Sequence, residues 1–145
     1  MASFKRSAES VWKGGGKDGK GSLRTASGAL SNLPYATGMR FGEDKGTNPE
    51  ELLAAAHAGC FNMQLAFNLV AAGHTAEELR TTAEVKIESD GPGFSIKTIK
   101  LTLKGRVPGI SADAFKKAAE DAKSGCPVSK RFKGAEITLD AELTS

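Results

Sequence analysis

The sequence predicts an α+β protein with a mainly antiparallel sheet, and three observations carry that prediction. A long apolar segment between Asn48 and Gly73 has the punctuation of one central helix. Segments on either side of Asp90-Gly91-Pro92-Gly93 alternate as strands. The order strands, helix, hairpin, helix, strand lacks the regular strand–helix alternation of a doubly wound sheet.

Residues 4–12 read as a strand ending near Trp12, and the glycine-rich Lys13–Gly21 follows. Gly14, Gly16 and Gly19 have dinucleotide-fingerprint spacing, and Gly14, Gly19 and Lys20 approach a P-loop. Gly21 nevertheless stands where a magnesium-binding hydroxyl is needed, and Ser22-Leu23-Arg24-Thr25 reads as strand, not as a helix that could receive a phosphate. A hairpin loop is the expected structure. From Ala29 to Gly46 no period is clear. This segment carries Tyr35, Arg40 and Phe41 and is either a surface connection or a loop folded over the central helix.

The helix start is doubly marked. Asn48 is an N-cap with Pro49 at the first helical position, and Thr47 with Glu50 has capping-box spacing. The helix continues to Ala71-Ala72, with Gly73 as its stop. Apolar residues on nearly every face predict burial all round. One stripe, at positions 50, 53, 57, 60, 64 and 67, carries Glu50, His57, Cys60 and Gln64, so polar groups there must face a cavity or a partner. Ala54, Ala55, Ala56, Ala58 and Gly59 are small enough to admit a second helix, including the same helix of another subunit.

Ala83, Val85 and Ile87 alternate with charged residues up to the Asp90–Gly93 turn. On the return strand, from Phe94 to about Val107, Ile96 and then Ile99, Leu101 and Leu103 keep different frames, which a bulge near Lys97-Thr98 reconciles. Ser111 caps a second helix to about Lys123 with Phe115, Ala118, Ala119 and Ala122 inward. Cys126-Pro127 starts a short turn, and Ile137, Leu139, Ala141 and Leu143 form a last strand.

The length of 145 residues fits a single domain over 1–145, and 39% apolar content with 6% aromatics gives a modest core. Covering an apolar helix on all sides then favours a homodimer. A net charge of +3 without basic runs among aromatics argues against nucleic acid. The N-terminus has no apolar signal core, and no segment is continuous enough to span a bilayer, so a soluble, cytoplasmic protein without membrane association is expected. Cytoplasmic thiols are kept reduced, so Cys60 and Cys126 are either inert or redox-active rather than a structural staple.

Cys60 reads as the reactive atom, although a lone cysteine in an apolar helix is often an inert core residue. A thiol of ordinary pKa, about 8.5, needs help to ionise. Cys60 lies about 18 Å along the axis from Asn48, too far for the helix dipole, and burial works in the wrong direction. The candidate cations are Arg40, Lys45, Arg131 and a charged His57. Arginine suits best, since its fork can hold a thiolate and an incoming oxygen while Glu50 aims it by a bidentate pair. Cys126, before Pro127 at a helix start, is placed for backbone N–H groups to favour its own thiolate. His57 and Cys60 have no second ligand pair for zinc, and a mid-helix cysteine has no free N–H groups for a hydrolase oxyanion hole.

These residues carry a resemblance. Thr47-Asn48-Pro49-Glu50-Glu51-Leu52 through Ala55-Ala56-His57-Ala58-Gly59-Cys60-Phe61, with Gly125-Cys126-Pro127-Val128-Ser129 and Ala135-Glu136-Ile137-Thr138-Leu139, resembles the OsmC/Ohr family of hydroperoxide-reducing peroxidases. Ala56-His57-Ala58 before the cysteine is similar to the OsmC branch. The resemblance implies an intertwined homodimer with curved antiparallel sheets around central helices and active sites at the subunit interface. It further implies Cys60 as peroxidatic cysteine, Cys126 as resolving cysteine, Arg40 as activating cation, with Arg24 or Arg131 as alternatives, and Glu50 as the arginine's partner. The expected activity is reduction of organic hydroperoxides, and more weakly hydrogen peroxide, in oxidative-stress defence. Cys60 becomes a sulfenic acid and condenses with Cys126, and an external dithiol such as a lipoyl group reduces the disulfide. Neither metal nor organic cofactor is required. The alternative is a redox-responsive binding or regulatory protein whose disulfide switches a surface.

Overall fold

The structure, a computed structural model, describes residues 2–132. The chain divides into two compact units, residues 1–53 and 54–145. The expected last strand over Ile137–Leu143 lies outside the described residues.

The first unit holds a three-stranded antiparallel sheet in the order β1 (Ala8–Lys13), β2 (Lys20–Thr25), β3 (Leu33–Tyr35). The first strand starts at Ala8 rather than at residue 4, because pairing ends where Ala8 meets Thr25 and the Ala26 N–H donates to the Ser7 carbonyl. The glycine-rich segment is the hairpin connection, with Lys13 opposite Lys20. Gly14 adopts φ +97°, a conformation that side chains disfavour, and the Trp12 indole N–H donates to the Gly15 carbonyl at 3.2 Å. The segment from Ala29 to Gly46 is partly regular: it contains β3 and the short helix α1 (Thr37–Phe41), which carries Arg40.

Helix α2 (Pro49–Ala71) begins in the first unit and continues into the second. Its start differs from the expected capping box. The Asn48 side-chain oxygen accepts from the Glu51 N–H at 2.9 Å, and the Thr47 hydroxyl donates to the Glu51 carboxylate, so Glu51 rather than Glu50 completes the cap. Asn48 also donates to the Met39 carbonyl at 3.0 Å, tying α1 to the helix start. At the other end Gly73 takes φ +89° and the His74 N–H reaches back to the Leu69 carbonyl, the expected glycine stop.

In the second unit β4 (Glu78–Asp90) and β5 (Gly93–Arg106) form a long antiparallel hairpin. Lys86 opposes Thr98 while Ile87 opposes Ile96, leaving Lys97 as the extra residue, which is the bulge the two hydrophobic frames require. Helix α3 (Ala112–Gly125) is capped by Ser111, whose hydroxyl accepts from the Ala114 N–H, and α4 (Pro127–Arg131) follows Cys126 at once. A Cβ at Gly105 would stand 2.5 Å from the Phe115 ring, so the missing side chain lets α3 seat that ring on the sheet.

The core joins Phe61, Leu65 and Leu69 of α2 to Ala118 and Ala122 of α3, with Leu79, Leu101 and Leu103 of the hairpin packed against it. Among the described residues only this face of α2 is covered. Met63, Phe67 and Val70 are 66%, 69% and 62% exposed, and with the exposed Ala56, Gly59 and Ala66 they form a continuous apolar stripe. Among the described residues, therefore, the helix is not buried all round. The modest core covers one side, and the apolar residues opposite have no cover among the described residues.

Candidate functional site

Two groups of chemistry-bearing residues are assembled, one in each unit. In the first, Glu50 sits one residue into α2 and meets Arg40 of α1. Arg40 Nε lies 3.1 and 3.0 Å from Glu50 Oε1 and Oε2, and Nη2 lies 2.6 Å from Oε1. The fork expected from sequence is thus present. The Arg40 hydrogen bond holds the Glu50 carboxyl below its ordinary pKa against the opposing effect of burial, and the carboxylate raises that of Arg40. The guanidinium stacks on the Phe41 ring at 5.1 Å and borders a cleft of about 310 Å³ with Trp12, Tyr35 and Pro49. A cation beside aromatic walls suits a ligand with an apolar body and an electron-rich oxygen.

The second group is the thiol pair. Cys60 lies at mid-helix in α2 and Cys126 between α3 and α4; 66 residues apart in sequence, their sulfurs are 2.7 Å apart, and both are free thiols. Phe61, Leu65 and Leu69 of α2 share one core with Ala118 and Ala122 of α3, which holds the two cysteine-bearing segments together. Cys126 is fully buried and Cys60 partly exposed. Geometry alone would let either sulfur carry the shared proton; the surrounding donors decide. Burial raises the Cys60 pKa, as does its hydrogen bond to Cys126, and only the Val128 N–H opposes them. Burial also acts against the Cys126 thiolate, but hydrogen bonds from Cys60, from the Ser129 N–H and hydroxyl, and from the Val128 N–H outweigh it and lower the pKa. Of the two sulfurs, the surroundings therefore favour the thiolate more at Cys126 than at Cys60.

His57 does not supply the missing cation. Its ring is buried against Phe132, and desolvation pushes its pKa below the ordinary value, so the imidazole is neutral at pH 7. Nε2 lies 2.8 Å from the Ser129 hydroxyl, while the buried Nδ1 has no partner among the described residues. Sequence reasoning weighed His57 only as cation or ligand and gave Ser129 no role. A signal was present: His57 is three residues before one cysteine and Ser129 three after the other, so the fold that brings the two sulfurs together also brings this pair within reach. Lys45 and Arg131 are exposed, and Arg24 is exposed and pairs with Glu9 at 3.7 Å. Among the described residues no group of three or more His, Cys, Asp or Glu is placed to hold a metal ion, and no helix is long and apolar enough to cross a membrane.

Comparison with known proteins gives the family. The chain matches a family of OsmC-like proteins over residues 42–142. It is 46% identical to peroxiredoxin OsmC of Escherichia coli over 140 residues, 97% of each chain. It is 34% identical to organic hydroperoxide resistance protein OhrA of Bacillus subtilis over 67% of this chain and 68% of that one. Among solved structures, an organic hydroperoxide resistance protein OsmC from Legionella pneumophila superposes with a TM-score of 0.69 at 25% identity, covering 92% of this chain and 93% of that one. With a family match over most of its length and a near full-length relative at 46% identity, the chain belongs to the OsmC family.

Proposed function

We propose that the protein is a thiol-dependent peroxidase that reduces organic hydroperoxides, with Cys60 as the attacking and Cys126 as the resolving cysteine. The observation that carries this reading is the meeting of two free thiols from distant segments at 2.7 Å, one partly exposed and one buried. Cys60 thiolate attacks the distal peroxide oxygen, the O–O bond breaks, and the alcohol leaves with a proton. Cys126 then attacks the Cys60 sulfenic acid, releasing water and forming the disulfide before further oxidation can occur. A dithiol, for which a lipoyl group is chemically suited, restores both thiols by exchange.

The Arg40–Glu50 pair supplies the cation that the thiols lack. In this reading the pair serves the thiols of a second copy of the chain, with Glu50 aiming Arg40 toward the incoming peroxide oxygen. A two-fold homodimer that packs the apolar stripe of α2 against its copy brings the two groups together at the subunit interface, and the exposure of Met63, Phe67 and Val70 supports it. The chain acts as one OsmC-like domain over residues 1–145, consistent with the near full-length match to the Escherichia coli protein. A cytoplasmic location, where thiols are kept reduced, suits this thiol-dependent reaction.

The test is dithiol-dependent consumption of an organic hydroperoxide by wild type, Cys60→Ser and Cys126→Ser proteins, with oxidised species weighed by mass spectrometry. Cys60→Ser abolishes turnover, and Cys126→Ser undergoes one oxidation and accumulates over-oxidised Cys60. Turnover that survives Cys60→Ser refutes the assignment.

A further inference from the structure

We propose that Trp12, held in place by the glycine-rich hairpin, is the specificity-determining wall of the Arg40 cleft and selects the organic group of the hydroperoxide. This role rests on the reading of the protein as a peroxidase. It also accounts for the glycines of Lys13–Gly21, which phosphate binding does not.

Trp12, Gly21 and Tyr35 stand side by side across the three strands of the first unit. Because Gly21 has no side chain, the two rings meet over it, with centroids 5.3 Å apart and planes tilted by 54°. A Cβ on Gly21 would lie 2.7 Å from the indole and closer still to the Tyr35 ring. Tyr35 reaches across β2, and its hydroxyl lies 2.6 Å from that of Ser10 on β1. The indole is fixed in turn by the hairpin. Trp12 Nε1 donates to the Gly15 carbonyl at 3.2 Å, and the Gly19 N–H donates to the same oxygen at 2.8 Å, which uses both of its lone pairs. A Cβ on Gly19 would stand 2.7 Å from Nε1, so that position must also lack a side chain. The glycine spacing is therefore the mount of one aromatic side chain.

With Nε1 engaged by Gly15 and the tyrosine hydroxyl by Ser10, Trp12 and Tyr35 offer the cleft apolar ring surface. Its cation is Arg40, whose charge is matched by Glu50 and whose bonds to that carboxylate run from Nε and Nη2, leaving Nη1 outside the pair. A cleft of about 310 Å³ with aromatic walls and one neutralised cation disfavours a strongly anionic guest. It suits a neutral molecule with a compact apolar body and one oxygen-bearing end, and an organic hydroperoxide has that form. The Thr37 hydroxyl, at the start of α1, donates to the Gly16 carbonyl, so the hairpin that holds the indole also holds the helix that carries Arg40. A guest whose apolar body rests on Trp12 thus has its peroxide oxygens brought to the guanidinium. Hydrogen peroxide has no such body and gains nothing from the wall.

The test compares steady-state reduction of cumene hydroperoxide and of hydrogen peroxide by full-length wild type, Trp12→Phe and Trp12→Ala proteins, with dithiothreitol as reductant. Trp12→Ala lowers kcat/KM for cumene hydroperoxide about tenfold or more, while that for hydrogen peroxide stays within about twofold of wild type. Trp12→Phe, which keeps a ring, retains most of the preference. An equal fall for both peroxides in Trp12→Ala, or an unchanged ratio, overturns the proposal, because damage to the fold or to the aim of Arg40 acts on both substrates alike. Trp12 is the sole tryptophan, so a second measurement needs neither a variant nor turnover: cumyl alcohol, the product, changes the wild-type tryptophan emission saturably. Emission that does not move at alcohol concentrations that inhibit turnover overturns the proposal. A saturable change in a protein that consumes neither peroxide overturns the peroxidase reading instead and leaves Trp12 as the wall of a binding cleft.

Discussion

Replacing Glu50 by Gln isolates the Arg40 fork with little change of shape. The carboxylate uses both oxygens: Oε1 accepts from Nε and Nη2, and Oε2 from Nε. An amide offers one oxygen and turns its NH₂ toward guanidinium N–H groups, so at least one contact becomes donor against donor. The remaining bonds lose their charge assistance, which roughly halves their strength. The Glu50 side chain is 11% exposed but Arg40 is 39% exposed, so solvent screens the pair and the stability loss at pH 7 is about 1–2 kcal/mol.

The larger effect is on aim. With the guanidinium no longer held, kcat/KM for an organic hydroperoxide falls by about tenfold or more, or ~1.4 kcal/mol and upward in the barrier. The assay is steady-state peroxide consumption with a dithiol, paired with denaturant unfolding as a function of pH. Because the Glu50 pKa is lowered on folding, its contribution to stability is complete above the ordinary carboxylate pKa and is lost as pH falls through its folded value. The Glu50→Gln protein accordingly loses part of the wild-type acid sensitivity, and the stability difference between the two shrinks toward acid pH. Wild-type kcat/KM in Glu50→Gln, accompanied by the stability loss, would show that the pair is only structural.

Asn48→Ala removes both the N-cap bond to Glu51 and the tie to the Met39 carbonyl. It costs about 1–2 kcal/mol in denaturant unfolding and also lowers peroxide turnover by loosening the α1 loop that carries Arg40; full activity would show that the loop is held by other contacts. Leu65→Ala, at a fully buried position between α2, α3 and the hairpin, costs about 3–5 kcal/mol in the same measurement. A loss below about 1 kcal/mol would mean that this face of α2 is not the core.

Much of this protein is determined locally, and those parts are legible in the sequence. The α2 bounds follow from Asn48-Pro49 and Gly73, because a capping side chain and a left-handed glycine act within one helical turn. The bulge at Lys97 follows from two hydrophobic frames that cannot share one strand face, and the hairpin loop of Lys13–Gly21 from glycines with no helix after them. The choice of Glu51 over Glu50 as capping partner was not legible, since adjacent carboxylates differ only in which neighbour each reaches. Arg40, brought near by β3 and α1, claims Glu50.

What tertiary structure alone decided is the state of the thiols. Composition and spacing pointed to Cys60 and Cys126, and the family resemblance to their roles. That their sulfurs meet depends on α2 and α3 sharing one core, and the opposite shifts of the two thiols depend on burial, on each other and on Val128 and Ser129 beside Cys126. A pKa is set by every dipole and every wall within a few ångströms, and a linear sequence contains the groups but not those distances. The same holds for the uncovered stripe of α2. Its apolar residues are readable one by one, but only the packed chain separates the face that serves the core from the face left without cover among the described residues.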